Sequence, residues 1–157
     1  MSMNMYVCWA GDLPLDRTRL KGGLAAAGFD AAILYDFVGS EGFWPVDIDA
    51  FRSGVEIDFL NDLDELRGDC PVLGDALGER NKGVVFTFGG DWAEGAVACA
   101  LAAGLGHLGD VVIYEPSAGE VWSPACVNFA GISVPSGKPG IDITIGAGAG
   151  ARCPPAA

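Results

Sequence analysis

The sequence predicts an α+β fold, or an α/β sandwich, with a mixed sheet of about five strands and two main helices. Three observations lead there. Short apolar runs recur between glycine-rich turns, two segments show helical spacing, and a strand–helix–strand unit closes the well-patterned part of the chain. At 157 residues the chain has the length of one domain that needs no metal or disulfide to hold its core. The domain is expected over residues 1–123, with residues 124–157 as a tail.

Tyr6 to Ala10 is apolar and ends at Gly11-Asp12, which reads as a strand followed by a turn. From Asp16 to Ala27, Leu20, Leu24 and Ala27 recur at helical spacing, and Gly28 stops the helix. The pair Gly22-Gly23 inside it costs about 1 kcal/mol per residue relative to alanine, a cost that close packing against the sheet would justify. Ala31 to Phe37 (AAILYDF) is a buried strand candidate. Val55 to Leu60 (VEIDFL) alternates apolar and acidic residues and reads as a half-exposed strand with Glu56 and Asp58 on its wet face. The stretch between them, VGSEGFWPVDIDAFRSG, reads as a long connection rich in glycine and aromatics.

Asn61 to Lys82 is polar and contains Pro71, so one or two short helical turns are expected. Gly83 to Phe88, Asp91 to Leu108 and Val111 to Tyr114 then read as strand, buried helix and strand, in the order of a parallel crossover. The full order allows a ferredoxin-like first half. Asp91 stands at the N-cap position and Glu94 three residues later, the pattern in which each carboxylate satisfies a free backbone N–H of the first turn. Those charges also oppose a phosphate at that helix start. Beyond Trp122 the composition turns to Gly, Ala and Pro, which points to a disordered or loosely attached tail. Alternating Ile141, Ile143 and Ile145 could instead supply an edge strand.

Charge is the strongest global feature: 21 acidic against 9 basic residues give a formal net charge of −12. Such a chain repels nucleic acid and anionic lipid and attracts basic partners. Ten carboxylates fall between Asp47 and Glu79 against only Arg52 and Arg67, so one face should be strongly negative. No apolar run reaches the length of a membrane span, and the N-terminus lacks the pattern of a secretion signal, so a cytoplasmic location is expected. The five cysteines are irregularly spaced and read as reduced thiols rather than as a disulfide framework or a zinc site.

Candidate chemistry is sparse. His107 is the only histidine, and Cys99 lies eight residues earlier on the same helix, about 12 Å along its axis, too far for a nucleophile–base pair. A place at the helix C-terminus accounts for His107. The acidic stretches DID (Asp47, Asp49) and NDLDE (Asn61–Glu65) lack the spacing of a calcium loop, and no metal or cofactor is expected. Aromatics among carboxylates suit recognition of a basic partner. The candidate contact set is therefore Phe43, Trp44, Asp47, Asp49, Glu56, Asp58, Asp62, Asp64 and Glu65.

In its size, its acidity and the stretch Val84–Trp122 (VVFTFGGDWAEGAVACALAAGLGHLGDVVIYEPSAGEVW), the chain resembles small uncharacterised bacterial α/β proteins of the polymorphic-toxin immunity type. The resemblance implies a stoichiometric inhibitor with no chemistry of its own, whose negative face fills a toxin's basic cleft. The expected function is thus an acidic, non-catalytic binding module. A different expectation is a small enzyme or ligand-binding domain using Asp91, Glu94 and Glu115, the last at the end of a strand where open sheets bind ligands. A third is a subunit of a larger assembly.

Overall fold

The computed structural model describes residues 2–49, 51–116 and 119–122, and of Phe51, Glu120 and Trp122 the backbone alone. The expectations for residues 124–157 lie outside the described residues. The described chain is α+β. Its strands are β1 (Met3–Trp9), β2 (Ala31–Ile33), β3 (Gly42–Ile48), β4 (Phe51–Leu60), β5 (Lys82–Phe88), β6 (Val111–Glu115) and β7 (Glu120–Trp122). Its helices are α1 (Arg17–Ala26), α2 (Asp64–Asp69), α3 (Pro71–Leu77) and α4 (Trp92–Gly106).

The strands form one seven-stranded sheet in the order β2-β3-β4-β5-β1-β6-β7, and every pairing is antiparallel. This corrects the expected mixed sheet of about five strands. The unit β5–α4–β6 does run as a crossover between two parallel strands, but β1 lies between them and bonds to both. Likewise β1–α1 leads to β4 across the intervening β5. The six elements β1, α1, β4, β5, α4 and β6 therefore form two interlocked split β-α-β units, the ferredoxin-like connectivity. That connectivity spans the whole body rather than its first half, with β2–β3 and β7 added at the edges and α2–α3 inserted between β4 and β5.

The long connection expected between Phe37 and Val55 is largely strand. Trp44, Val46 and Ile48 alternate inward along β3 and continue the core, while only Ala31–Ile33 of the expected AAILYDF strand is paired. Pro45 obscured the pattern, because proline cannot donate to a ladder and is confined to edges. It is tolerated here because the β2 ladder stops at Val46, one residue short of it. The β3–β4 hairpin turns at Asp49, whose φ of 52° is left-handed, and Asp49 exchanges hydrogen bonds with Asp30: its N–H donates to the Asp30 carbonyl (2.6 Å) and its Oδ1 accepts the Asp30 N–H (3.0 Å).

α1 and α4 cover one face of the sheet, over a core that includes Val7, Trp9, Leu20, Leu24, Phe86, Leu101, Leu105 and Ile113. α4 is apolar nearly all round because it is buried from Gly95 to Leu105 apart from Ala96. α2 and α3 cover part of the opposite face through Leu63, Leu73 and Leu77, which pack on Cys8, Val112 and Tyr114. Arg80 locks this smaller layer. Its guanidinium donates to the last α3 carbonyls, of Ala76 and Leu77, and pairs with Asp110 at 2.9 Å.

Within the glycine pair of α1, Gly23 has a specific reason, and it is a helix rather than the sheet. A Cβ on Gly23 would stand 2.5 Å from the carbonyl oxygen of Gly104, and one on Gly104 would stand 3.0 Å from Leu24, so the two helices touch backbone to backbone. Gly22 faces open space. Gly23→Ala should therefore lower stability by about 1–3 kcal/mol through overpacking. Gly22→Ala should raise it by about 0.5–1 kcal/mol through helix propensity. Opposite shifts of the thermal midpoint in these adjacent variants are the expected outcome; a common sign would show that the helices do not approach so closely.

Candidate functional site

The face of the sheet that α2 and α3 leave open is where the acidic candidates gather. Along β4, Val55, Ile57 and Phe59 point to the α1–α4 layer, which forces Glu56 and Asp58 onto the open side at period two. Register sets their neighbours. Phe43 stands opposite Glu56, Glu56 opposite Thr87, and Thr87 opposite Asn4, whose Oδ1 accepts the Thr87 hydroxyl at 2.9 Å. The next row is Asp58, Val85, Tyr6 and Tyr114. An open depression of about 370 Å³ is lined there by Glu41, Gly42, Glu56, Ile57, Asp58, Val85 and Thr87.

Phe43 and Trp44 part company. Phe43 is 60% exposed, with its ring over Gly54 on the open face; a Cβ on Gly54 would lie 2.6 Å from it. Trp44 is 1% exposed and points the other way, edge-on to Phe37 at 5.1 Å between ring centroids, so it contributes to the core and leaves the contact set. Alternation along a strand makes this separation unavoidable, because neighbours in a strand cannot share a face.

The remaining candidates scatter. Asp47 is on the same side of β3 but is engaged by Arg52 through two bonds of 2.8 and 3.1 Å, and the Arg52 guanidinium holds its carboxyl below the usual range. Asp49 is a turn residue. Asp62 accepts the Asp64 N–H at 2.9 Å and so helps start α2, while Asp64 and Glu65 are exposed in its first turn, where the helix dipole favours carboxylates. Glu41, Val85, Thr87 and Tyr6 join the open face unanticipated. The contrast of Val84, Phe86 and Phe88 with Val85 and Thr87 was the available signal for a β5 with one solvated side.

The salt bridges leave this face charged. Arg17, Arg19, Arg52, Arg80 and Lys82 pair with Asp36, Asp16, Asp47, Asp110 and Asp12 respectively, so among the described residues no cation pairs with Glu41, Glu56 or Asp58.

Asp91, Glu94 and Glu115 occupy different settings. Asp91 is the α4 N-cap and accepts the Ala93 N–H at 2.9 Å. Glu94 Oε2 accepts the Gly89 N–H at 2.6 Å, closing the preceding turn instead of reaching the N-cap N–H as a capping box would. Glu115 is buried at the end of β6, an antiparallel strand, so the parallel-sheet argument for a ligand there does not apply. His107 is the exposed C-cap of α4. Among the described residues no group of three or more His, Cys, Asp or Glu is placed to hold a metal ion, and no helix is long and apolar enough to cross a membrane. The chain matches no protein-family model, no curated protein and no solved structure.

Burial governs the thiols. It pushes Cys8 up to about 12, against the opposing pull of Arg80 and Arg67, and Cys99 up to about 12, with the Glu115 carboxylate adding to the effect. A hydrogen bond with the Cys70 thiol and burial raise Tyr114. Cys8 and Cys99 thus hold their protons more tightly folded than unfolded. Their contribution to stability is complete below the ordinary thiol value of 9.0 and is lost as pH rises towards 12. Each thiol contributes a slope of up to about 1.4 kcal/mol per pH unit in that window. Urea midpoints should fall as pH is raised from neutrality into this range, and Cys99→Ala should make the fall shallower; a flat profile would mean that these thiols are solvated.

Proposed function

We propose that the chain is an acidic, non-catalytic binding module for a basic protein partner, acting as a stoichiometric inhibitor of the immunity type. The observation that supports this most is the open sheet face: Glu41, Glu56 and Asp58 surround one depression and, among the described residues, have no counter-cation, while five of the nine basic residues are paired with other carboxylates. Uncompensated like charges cost stability in the free protein, and a cationic surface relieves that cost on binding. Asp62, Asp64 and Glu65 extend the negative field from the end of β4 into α2 and steer the approach. An exposed aromatic beside the charges supplies the contact area that charge alone does not.

The reading is tested by association kinetics. Reversing Asp58, Asp62, Asp64 and Glu65 together to lysine should slow association with the basic partner by about ten- to a hundred-fold at low salt. Raising the salt should slow the parent chain towards the variant. On-rates that stay unchanged at low salt would remove the electrostatic basis of the proposal. Glu94→Gln and Glu115→Gln serve as controls; a loss of binding in either would favour the ligand-binding alternative.

A further inference from the structure

Among the described residues, the part of the second sheet face beyond α2 and α3 is uncovered and has the form of a helix seat. We infer that it docks an amphipathic, basic α-helix of the partner, laid beside α2–α3 with Phe43 as its apolar anchor; this rests on the binding-module reading above. Two layers normally close on both sides of a sheet with mixed residues on both faces. Here α1 and α4 complete one side, whereas α2 and α3 stop over Cys8, Val112 and Tyr114.

What they leave bare is not a purely solvated surface. Val85 and, at the margin of the α2–α3 cluster, Tyr6 form a half-buried floor, and the exposed Phe43 ring rises at one end over Gly54. The strip runs across β3, β4, β5 and β1, three gaps of about 4.8 Å or roughly 14 Å in all. A helix crosses that distance in about ten residues, close to three turns. An added strand would have to join an edge, but this surface is the face of paired strands whose backbone groups bond to one another. It is side chains, in ridges, that fit it.

Charge fixes the chemistry of that helix. Glu41, Glu56 and Asp58 flank the floor, so the ligand must bring lysine or arginine beside its apolar stripe. A neutral or acidic helix would bury carboxylates without partners, which is costly. A second copy of this chain, with net charge −12, is a poor occupant for the same reason.

The test uses the full chain and two synthetic peptides of identical composition. One is a leucine–lysine sequence of about 18 residues patterned as an amphipathic helix, and the other is its scramble. The patterned peptide should bind, and Phe43→Ala and the pair Glu56→Lys/Asp58→Lys should each weaken it by at least about tenfold. The pair Asp30→Lys/Glu79→Lys, the same change of charge at exposed positions away from the floor, should change affinity less than about threefold. Equal binding of the scramble would overturn the helix seat while leaving an acidic binding surface intact. Failure of both peptides to bind would count against both readings. Binding indifferent to Phe43, Glu56 and Asp58 would overturn the location. Two other occupants have their own signatures, and each would overturn the inference. Glu56 and Asp58 that resist carbodiimide labelling in the peptide-free chain would show that the chain covers its own face. A doubling of mass with concentration, abolished by Phe43→Ala, would assign the face to a second copy.

Discussion

Strand β1 is bonded along both edges, to β5 over seven residue pairs and to β6 over four, and the rest of the architecture is arranged around that double pairing. Because β5 and β6 run parallel to each other, the chain must cross over between them. The gap left for β1 lets α4 span the crossover above it. The same logic carries α1 from β1 over β5 to the far side. Two crossovers on one face oblige the two helices to lie side by side, and the Gly23–Gly104 approach lets them do so at backbone contact. Alternation along β1 then assigns Met5, Val7 and Trp9 to the large core and Tyr6 and Cys8 to the small one.

The two faces of this sheet differ in how they deal with water. One is closed by two helices that bury Leu20, Leu24, Leu101 and Leu105 against it and meet each other at Gly23 and Gly104. The other carries two short helices at one end, while among the described residues its other end, where the carboxylates of β4 lie, is open. Negative charge therefore collects on a part of the surface that the described elements leave available. Ion pairs engage Asp12, Asp16, Asp36, Asp47 and Asp110, and among the described residues none engages Glu41, Glu56 or Asp58.

Much of this was legible in the sequence, where the signal was local. The α1 and α4 segments, the N-cap at Asp91 and the wet side of VEIDFL follow from periodicity and capping rules that act within a few residues. Strand β3 was hidden by Pro45 and by flanking glycines, whose meaning depends on where a neighbouring strand ends, and that is a non-local fact. The β5–α4–β6 crossover between parallel strands is legible in its segment, but its being split is not: nothing within that segment announces that β1 will enter between its strands. At the site, Glu56 and Asp58 were legible from alternation. Trp44 was grouped with Phe43 by sequence proximity, which a strand turns into opposition. Tyr6 and Glu41 come beside β4 and β5 only because distant segments are set side by side in the sheet, and a single segment cannot show that.

Pro45 and the brevity of β2 also bear on how the molecule meets its own copies. A β-sheet ending in a long, regular strand offers a row of free backbone groups on which another chain can grow, and fibres begin this way. Here the sheet ends on the β2 side in only three paired residues, and just past them the next strand carries a proline with no N–H to give. Growth by strand addition finds little purchase there. A protein with such an edge can in this way remain dispersed in concentrated solution.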